Sequence, residues 1–501
     1  MEVIGRSLAC LKVRTFLAVA GVVTAGLVVL TPVRAAPGEQ PGYRRLVELE
    51  STRSFSDELT AALASSDARL AGRAALALGR TEDPRAAGPL RNATDAKDVS
   101  VRALAVYGYG LLAANTPIKT KLVTRFLKDS AGSVRIAAVD AAWRARAAKV
   151  PGSADLSTPL LALVAGDSDP VVRARAVTAL SGWGEAGDRG TIAARLQRAL
   201  AREKDTTVRW HVAWTLRRGF ATACDSATIR AGLADHDELV RIQFADLLRI
   251  RKQRSAVALL TPLLRDPSWR VREQASESIK ALRTGKRTEH LTAVPAGVVT
   301  PSPAPADTEV PLPRPTGLGK PGKPDPADAR LDLPLNPATS VLMTGPMPGP
   351  HPRVRIGTTK GTIVVRLYPE WAPLTVANFL NLVDRGYYDH LRWFRIVPDF
   401  VVQTGDPNDN GEGDAGYTIP AEENPLEQRA GVISMGLNYT SGPEAHAIRD
   451  SAGTQFYITI SPQLHLNRDF TVFGEVESGF STLGRLIESD RMTRVERLPD
   501  R

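Results

Sequence analysis

A short pattern, in its clearest copies Asp-x-x-Val-Arg, recurs through the first half of the chain, followed each time by apolar residues at helical spacing. Its arginine returns at intervals of 33, 38, 36, 32 and 31 residues. One helix pair of this length cannot bury its own apolar face, so successive copies must stack into an extended solenoid. We therefore predict an all-α solenoid over residues 44–283. The repeated arginines are Arg102, Arg135, Arg173, Arg209, Arg241 and Arg272.

The fixed arginine of each unit has two interpretations. It can bond carbonyls or the aspartate of the neighbouring unit and form a ladder along the stack, or the arginines can line a basic groove for an acidic ligand. Tryptophans inside these helices are expected to pack between repeats, although a partly exposed one would be a binding anchor. These tryptophans are Trp143, Trp183, Trp210, Trp214 and Trp269.

The repeat has a recognisable family pattern. The stretches DPVVRARAV and LGRTEDPRA resemble HEAT repeats, specifically the short phycobilisome-lyase type with D-P-x-V-R-x-x-A-A and L-G-x-x-x-D-P-R-A. The resemblance covers about 240 residues. It implies a surface for a protein partner whose identity the repeats do not specify, and the basic charge of this part of the chain suggests that the partner could be acidic.

The first 35 residues have the organisation of a secretory signal peptide. Arg6, Lys12 and Arg14 precede an uncharged apolar run over residues 16–30, and small residues follow it. We expect cleavage after Ala35, export to the periplasm or the exterior, and no membrane span after cleavage; an uncleaved membrane anchor is the alternative. Export would leave Cys224 as the one remaining cysteine, so no intrachain disulfide is expected.

Proline dominates the segment 284–352, which holds 16 of the chain's 36 prolines. Such a composition cannot form a packed core and predicts an extended linker. A flexible coil of this length spans roughly 40 to 50 Å, which favours two folded units that move independently. However, residues 36–350 carry a net charge of +12 and residues 351–501 a net charge of −5, so attraction could instead draw the units together.

Residues 353–501 change to a mixed pattern. Short alternating runs such as VRIGTTKGTIVVRLYP are separated by glycine-rich turns, and APLTVANFLNLVDRG has helical spacing. Many short strands with few helices predict a closed antiparallel β-barrel with capping helices.

This region resembles the cyclophilin-type peptidyl-prolyl cis-trans isomerases. The matching stretches are TTKGTIVVRLYPEWAPLTVANF, WFRIVPDFVVQTGD, GVISMG, GTQFYI and FTVFGEV, in the family's order. Departures include Phe394 for a common histidine, Val401 for a usual methionine, His465 at a position that often holds tryptophan, and Phe470 for the pocket histidine. The resemblance implies the barrel fold and isomerase activity.

The chemistry of proline isomerisation calls for a guanidinium that donates to the prolyl nitrogen of a twisted amide, and Arg395 is the candidate. The resemblance adds Gln403 as a second catalytic residue, which hydrogen-bonds the substrate backbone. It implies no metal and no cofactor. The substrate-binding residues that the resemblance implies are Phe400, Val401, Met435, Gly436, Gln455, Tyr457, His465, Leu466 and Phe470.

These features together predict an exported foldase that isomerises X-Pro bonds and whose solenoid binds a client or partner. The expected substrates are proline-containing polypeptides, and no nucleic acid is expected. The alternative is a scaffold that binds proline peptides with little or no turnover.

Overall fold

The computed structural model describes residues 41–185, 187–285, 351–439 and 447–499. The predicted signal segment and almost all of the predicted linker lie outside these residues. Within the described ranges, no helix combines the length and the apolar character needed to cross a bilayer.

The N-terminal half is a stack of helix pairs, as the repeat predicts. Asp98, Asp169 and Asp237 begin helices by accepting backbone N–H bonds from the first turn. The odd-numbered helices from α3 to α15 pack in chain order, each on the next, and form one layer. The helices are α1 Pro41–Ser51, α2 Asp57–Leu63, α3 Ala68–Thr81, α4 Ala87–Ala93, α5 Val99–Leu111, α6 Thr120–Phe126, α7 Gly132–Ala147, α8 Ser157–Gly166, α9 Pro170–Ala179, α10 Arg189–Arg202, α11 Thr206–Gly219, α12 Ser226–Leu233, α13 Glu238–Ile250, α14 Val257–Leu260 and α15 Trp269–Thr284.

The repeated arginines form the ladder. Arg135 donates to Asp167 of the next unit at 2.7 Å and to the Asp129 carbonyl at 2.8 Å. Arg241 makes the same pair of contacts, with Asp266 and with the Asp235 carbonyl, each at 2.8 Å. The structural interpretation of these arginines is therefore confirmed. Most of them pair with carboxylates of the stack itself.

The tryptophans divide into two groups. Trp183, Trp210 and Trp214 are buried between repeats, which confirms their packing role. Trp269 at the start of α15 is 55 % exposed, and Trp143 lies under a guanidinium from the C-terminal domain.

The C-terminal domain is a curled, antiparallel, eight-stranded sheet. Its strand order is β3-β4-β6-β5-β7-β2-β1-β8, and an isolated bridge between Arg392 and Arg491 joins the regions beside its two edge strands. Phe379 of the capping helix packs on Phe456 and Phe473 in the centre. The predicted fold class is confirmed. The elements are β1 Arg353–Thr358, β2 Gly361–Leu367, α16 Pro373–Asp384, β3 Arg395–Val397, β4 Val401–Thr404, β5 Val432–Met435, β6 Phe456–Thr459, β7 Val472–Ser478, α17 Phe480–Leu483 and β8 Met492–Arg497.

The two domains are docked against each other. Of the two arrangements considered from the sequence, the structure therefore has the one in which the oppositely charged units are in contact, and not the one in which they are separate. The contact is made by a strap, residues 421–429, that runs along the odd-numbered layer of the solenoid. Arg80 donates to the Glu423 carbonyl at 2.9 Å, and Arg144 pairs with the Glu423 carboxylate at 3.1 Å. Arg175 on α9 pairs with Glu427 at 2.8 Å.

A buried carboxylate joins the domains a second time. Asp140 on α7 is fully buried and accepts from Arg175 of the solenoid at 3.2 Å and from Arg468 of the barrel domain at 2.6 Å. The Arg468 guanidinium also lies 4.5 Å from the Trp143 ring centroid. Buried ions of this kind are stable only while each keeps its partner, so the network specifies one docked arrangement.

Docking should weaken in acid. Burial opposes ionisation of Glu423 and Glu427, but the combined effects of the neighbouring basic groups, led by Arg144 and Arg175 respectively, outweigh it and hold the pKa of each carboxyl below its ordinary value. A lowered folded-state pKa gives stability that is present above about pH 4.5 and is lost as pH falls through the folded value.

We therefore expect small-angle scattering to show a compact particle above about pH 4.5 and a progressively expanded one as the pH falls further below that value. A Glu423→Gln, Glu427→Gln variant should already be less compact at pH 7. A radius of gyration unchanged in both experiments would contradict the role given to these carboxylates.

Candidate active site

An apolar pocket lies beside the barrel core and is separate from it. Val401, Tyr457 and Leu466 form a buried cluster, with Phe400 and Phe470 packed against it. Val401 and Tyr457 come from the neighbouring strands β4 and β6, and Leu466 ends a 3-10 turn over Leu464–Leu466. The structure thus brings together five of the residues predicted to bind substrate.

One further ring, His465, completes the walls. His465 stacks on Phe400 with ring centroids 5.6 Å apart and planes inclined by 15°, and Phe470 meets Tyr457 edge to face at 5.7 Å. Desolvation of the ring by surrounding protein atoms lowers the pKa of His465 to about 4, and the positive charges of Arg218 and Arg217 add to this effect. His465 is therefore a neutral ring at physiological pH, consistent with a wall rather than a proton donor.

Arg395 lies at the edge of this pocket. Its partner across the β3–β4 ladder is Gln403, and the guanidinium donates to the Gln403 side-chain oxygen at 3.1 Å. The guanidinium carbon is 5.5 Å from the Phe400 ring centroid. Burial lowers the pKa of Arg395, against the raising effects of Tyr439 and Tyr457, but arginine stays charged at any physiological pH.

A chain of hydrogen bonds fixes the orientation of that guanidinium. Gln403 donates through Nε2 to Oε1 of Gln455 at 3.1 Å, and Nε2 of Gln455 donates to the carbonyls of Gly411 and Gly413, each at 3.0 Å. Because these carbonyls only accept, they hold the Gln455 amide in one orientation. The Gln455 amide in turn orients the Gln403 amide, and the Gln403 oxygen orients the Arg395 guanidinium. A second N–H of the Gln403 amide is available for a substrate carbonyl.

Two of the residues predicted to bind substrate are not part of this pocket's walls. Gly436 donates its backbone N–H to the Gln455 carbonyl at 2.8 Å, and an added Cβ would come within 3.1 Å of the Gln455 side chain and 3.4 Å of Gln403. Its lack of a side chain leaves room for the glutamine pair. Met435 is buried in the barrel core opposite Phe456 and is outside the pocket cluster.

Sequence reasoning missed the residues that tie this site to the solenoid. Asp399, next to Phe400, pairs with Arg270 of α15, and Arg468, three residues after His465, binds Asp140. Only the opposite net charges of the two halves indicated such contacts. Among the described residues there is no group of three His, Cys, Asp or Glu side chains that could hold a metal ion.

Comparison with known families agrees with this geometry. Residues 353–498 match the cyclophilin type peptidyl-prolyl cis-trans isomerase family, and residues 157–222 and 256–282 match HEAT repeats.

Individual relatives cover the C-terminal domain. Peptidyl-prolyl cis-trans isomerase B of Bacillus subtilis is 44% identical over 135 residues, which are 26% of this chain and 88% of the relative. A peptidyl-prolyl cis-trans isomerase of Synechococcus elongatus is 39% identical over 145 residues, 28% of this chain and 94% of the relative. A crystal structure of a Cryptosporidium parvum cyclophilin type isomerase shares 27% identity and covers 30% of this chain and 99% of its own, with a TM-score of 0.28. The C-terminal domain follows HEAT repeats and contains the pocket described above. Through this domain the chain belongs to the cyclophilin-type peptidyl-prolyl cis-trans isomerase family.

Proposed function

We propose that the chain is an exported foldase in which Arg395 catalyses the isomerisation of X-Pro bonds and the solenoid takes part in binding the client. The observation that supports this best is the position of Arg395, held by Gln403 at the edge of an apolar pocket with aromatic walls. A proline ring fits the chemistry of such a pocket, and a fixed cation beside it acts on the amide that the ring belongs to.

The barrier to rotation, about 18 to 20 kcal/mol, comes from amide resonance. As the bond twists, resonance is lost and the lone pair of the prolyl nitrogen becomes available to accept a hydrogen bond. An N–H of Arg395 then donates to that nitrogen, an interaction that exists in the twisted state and not in the planar one. The pocket holds the ring while Gln403 holds a neighbouring carbonyl, so the rest of the peptide rotates against a fixed proline.

The solenoid's contribution to client binding has to come from surface that docking leaves free. Trp269 is the one tryptophan of the described solenoid with more than half of its surface exposed. It neighbours Arg270, which contacts the barrel domain beside the pocket. An exposed aromatic ring at that place is suited to anchor an apolar segment of a client.

Exchange spectroscopy on a short prolyl peptide tests the catalytic part of this proposal. Catalytic amounts of residues 36–501 should accelerate cis-trans exchange at the proline. Saturable binding without acceleration would overturn the proposed foldase activity and favour the proline-peptide scaffold.

Export is tested separately. Mass spectrometry of the mature protein should find Ala36 at its N-terminus, whereas an intact N-terminus would favour the membrane anchor.

A further inference from the structure

The solenoid approaches the proline pocket as well as the back of the barrel. Two interdomain ion pairs flank the stacked rings of Phe400 and His465. Asp399 pairs with Arg270 of α15, and its carbonyl accepts from Ser461 at 2.5 Å and from Gln463 at 3.0 Å. Three residues after His465, Arg468 is held by the buried Asp140 of α7. The pocket wall is thus fixed between two solenoid helices.

The end of α11, which lies between α7 and α15 in the stack, is linked to the same part of α15. Arg217 at that end donates to Asp246 of α13, and Asp246 also accepts from Gln274 of α15, one turn after Arg270, at 3.4 Å. The last residues of α11 include Arg217 and Arg218, and the positive charge of both lowers the pKa of His465 in addition to the larger effect of crowding. Arg217 is already neutralised, since it donates to the Asp246 carboxylate at 2.7 Å. Arg218 is exposed and makes no hydrogen bond or ion pair with any residue that the structure describes.

The other arginines named at this rim have carboxylate partners, whereas Asp469 does not pair with any of them. Asp246 also accepts from Arg249 at 2.6 Å, and Arg270 is shared between Asp399 and Glu238. Asp469 lies near Tyr439 and Tyr457, and desolvation of its carboxyl by neighbouring protein atoms raises its pKa to about 6. The pocket is therefore bordered by an unpaired cation on the His465 side and by a separate carboxyl towards the Tyr457 side.

We propose that the solenoid completes the substrate groove: Arg218 forms a subsite for an acidic side chain of the client beside the isomerising proline. The inference rests on the isomerase function proposed above and specifies its substrate class as proline segments with a flanking Asp or Glu. It also gives the docked arrangement a role, because an undocked barrel domain lacks this cation.

An exposed ion pair contributes roughly 0.2 to 1 kcal/mol. This corresponds to about a 1.4- to 5-fold preference for a peptide with an acidic side chain at the subsite over one with a neutral side chain. The preference should be largest at low ionic strength and should shrink in 0.5 M salt, because salt screens exposed charges.

The test compares kcat/KM of residues 36–501 for peptides that carry Glu, Gln or Lys at each position flanking one proline. The ratio of the Glu to the Lys peptide should be several-fold at the position that reaches Arg218, and Arg218→Glu should abolish or invert it. The ratio is taken within one protein preparation, so a general loss of active protein cancels. Arg198→Glu is the matched control, an exposed solenoid arginine on α10, and should keep the wild-type ratio.

Equal rates for Glu and Lys peptides at every position, or a ratio that Arg218→Glu leaves unchanged, would overturn the acidic subsite while leaving the isomerase intact. Failure to accelerate any of the peptides would instead overturn the proposed function, so the two failures are distinguishable.

Discussion

Arg395→Ala is expected to lower kcat/KM for prolyl peptides by about 10²- to 10³-fold, the loss that follows removal of one preorganised donor to a transition state. The donor acts on a lone pair that exists only in the twisted amide, so kcat should fall while peptide affinity changes little. Exchange spectroscopy for turnover and titration for affinity, both on residues 36–501, measure the two effects separately.

Arg392→Ala is the matched control for charge and position. Arg392 lies three residues earlier, is exposed, and pairs with Asp409 at 3.5 Å rather than with the pocket. Its variant should turn over like wild type. Arg395→Lys keeps a charge but loses the planar fork that Gln403 holds, so it should be intermediate or inactive. Near-normal turnover of Arg395→Ala, in a protein that unfolds at the wild-type urea concentration, would remove this side chain from the mechanism.

Much of the pocket could be predicted from sequence because its residues belong to short motifs, several of them on paired strands. Arg395 and Gln403 are eight residues apart and face each other across one hairpin, so local spacing alone places them together. Met435 shows the limit of this reasoning. Its place in a matching motif suggested a pocket residue, but the alternation of β5 puts its side chain opposite Phe456 in the barrel core.

Docking could not be predicted in the same way. Asp140 and Arg468 are 328 residues apart, and the predicted linker lies between them in the chain. In the sequence, no motif distinguishes Asp140 or the strap's glutamates from other charged residues. Only the structure shows that Asp140 is fully buried and that Glu423 and Glu427 lie against arginines. The opposite net charges indicated attraction but could not identify the surfaces.

Asp140→Ala should undock the two domains. The change removes the shared partner of two buried guanidiniums, Arg175 and Arg468, and an uncompensated buried charge costs about 3 to 5 kcal/mol.

The cost can be relieved by separation, because water then reaches both arginines. Once separated, the domains would be joined only by the predicted linker, whose span of roughly 40 to 50 Å is large enough for extended arrangements.

Small-angle scattering of residues 36–501 measures the outcome: wild type should be compact, and Asp140→Ala should have a larger radius of gyration at the same pH and salt. Asp155→Ala, at an exposed aspartate between α7 and α8, is the matched control and should scatter like wild type. Asp140→Asn keeps an acceptor for one arginine without the charge and should fall between the two. Suppose that Asp140→Ala stays as compact as wild type and that its free energy of unfolding, measured by urea denaturation, falls by less than about 1 kcal/mol. The buried carboxylate then does not hold the domains together.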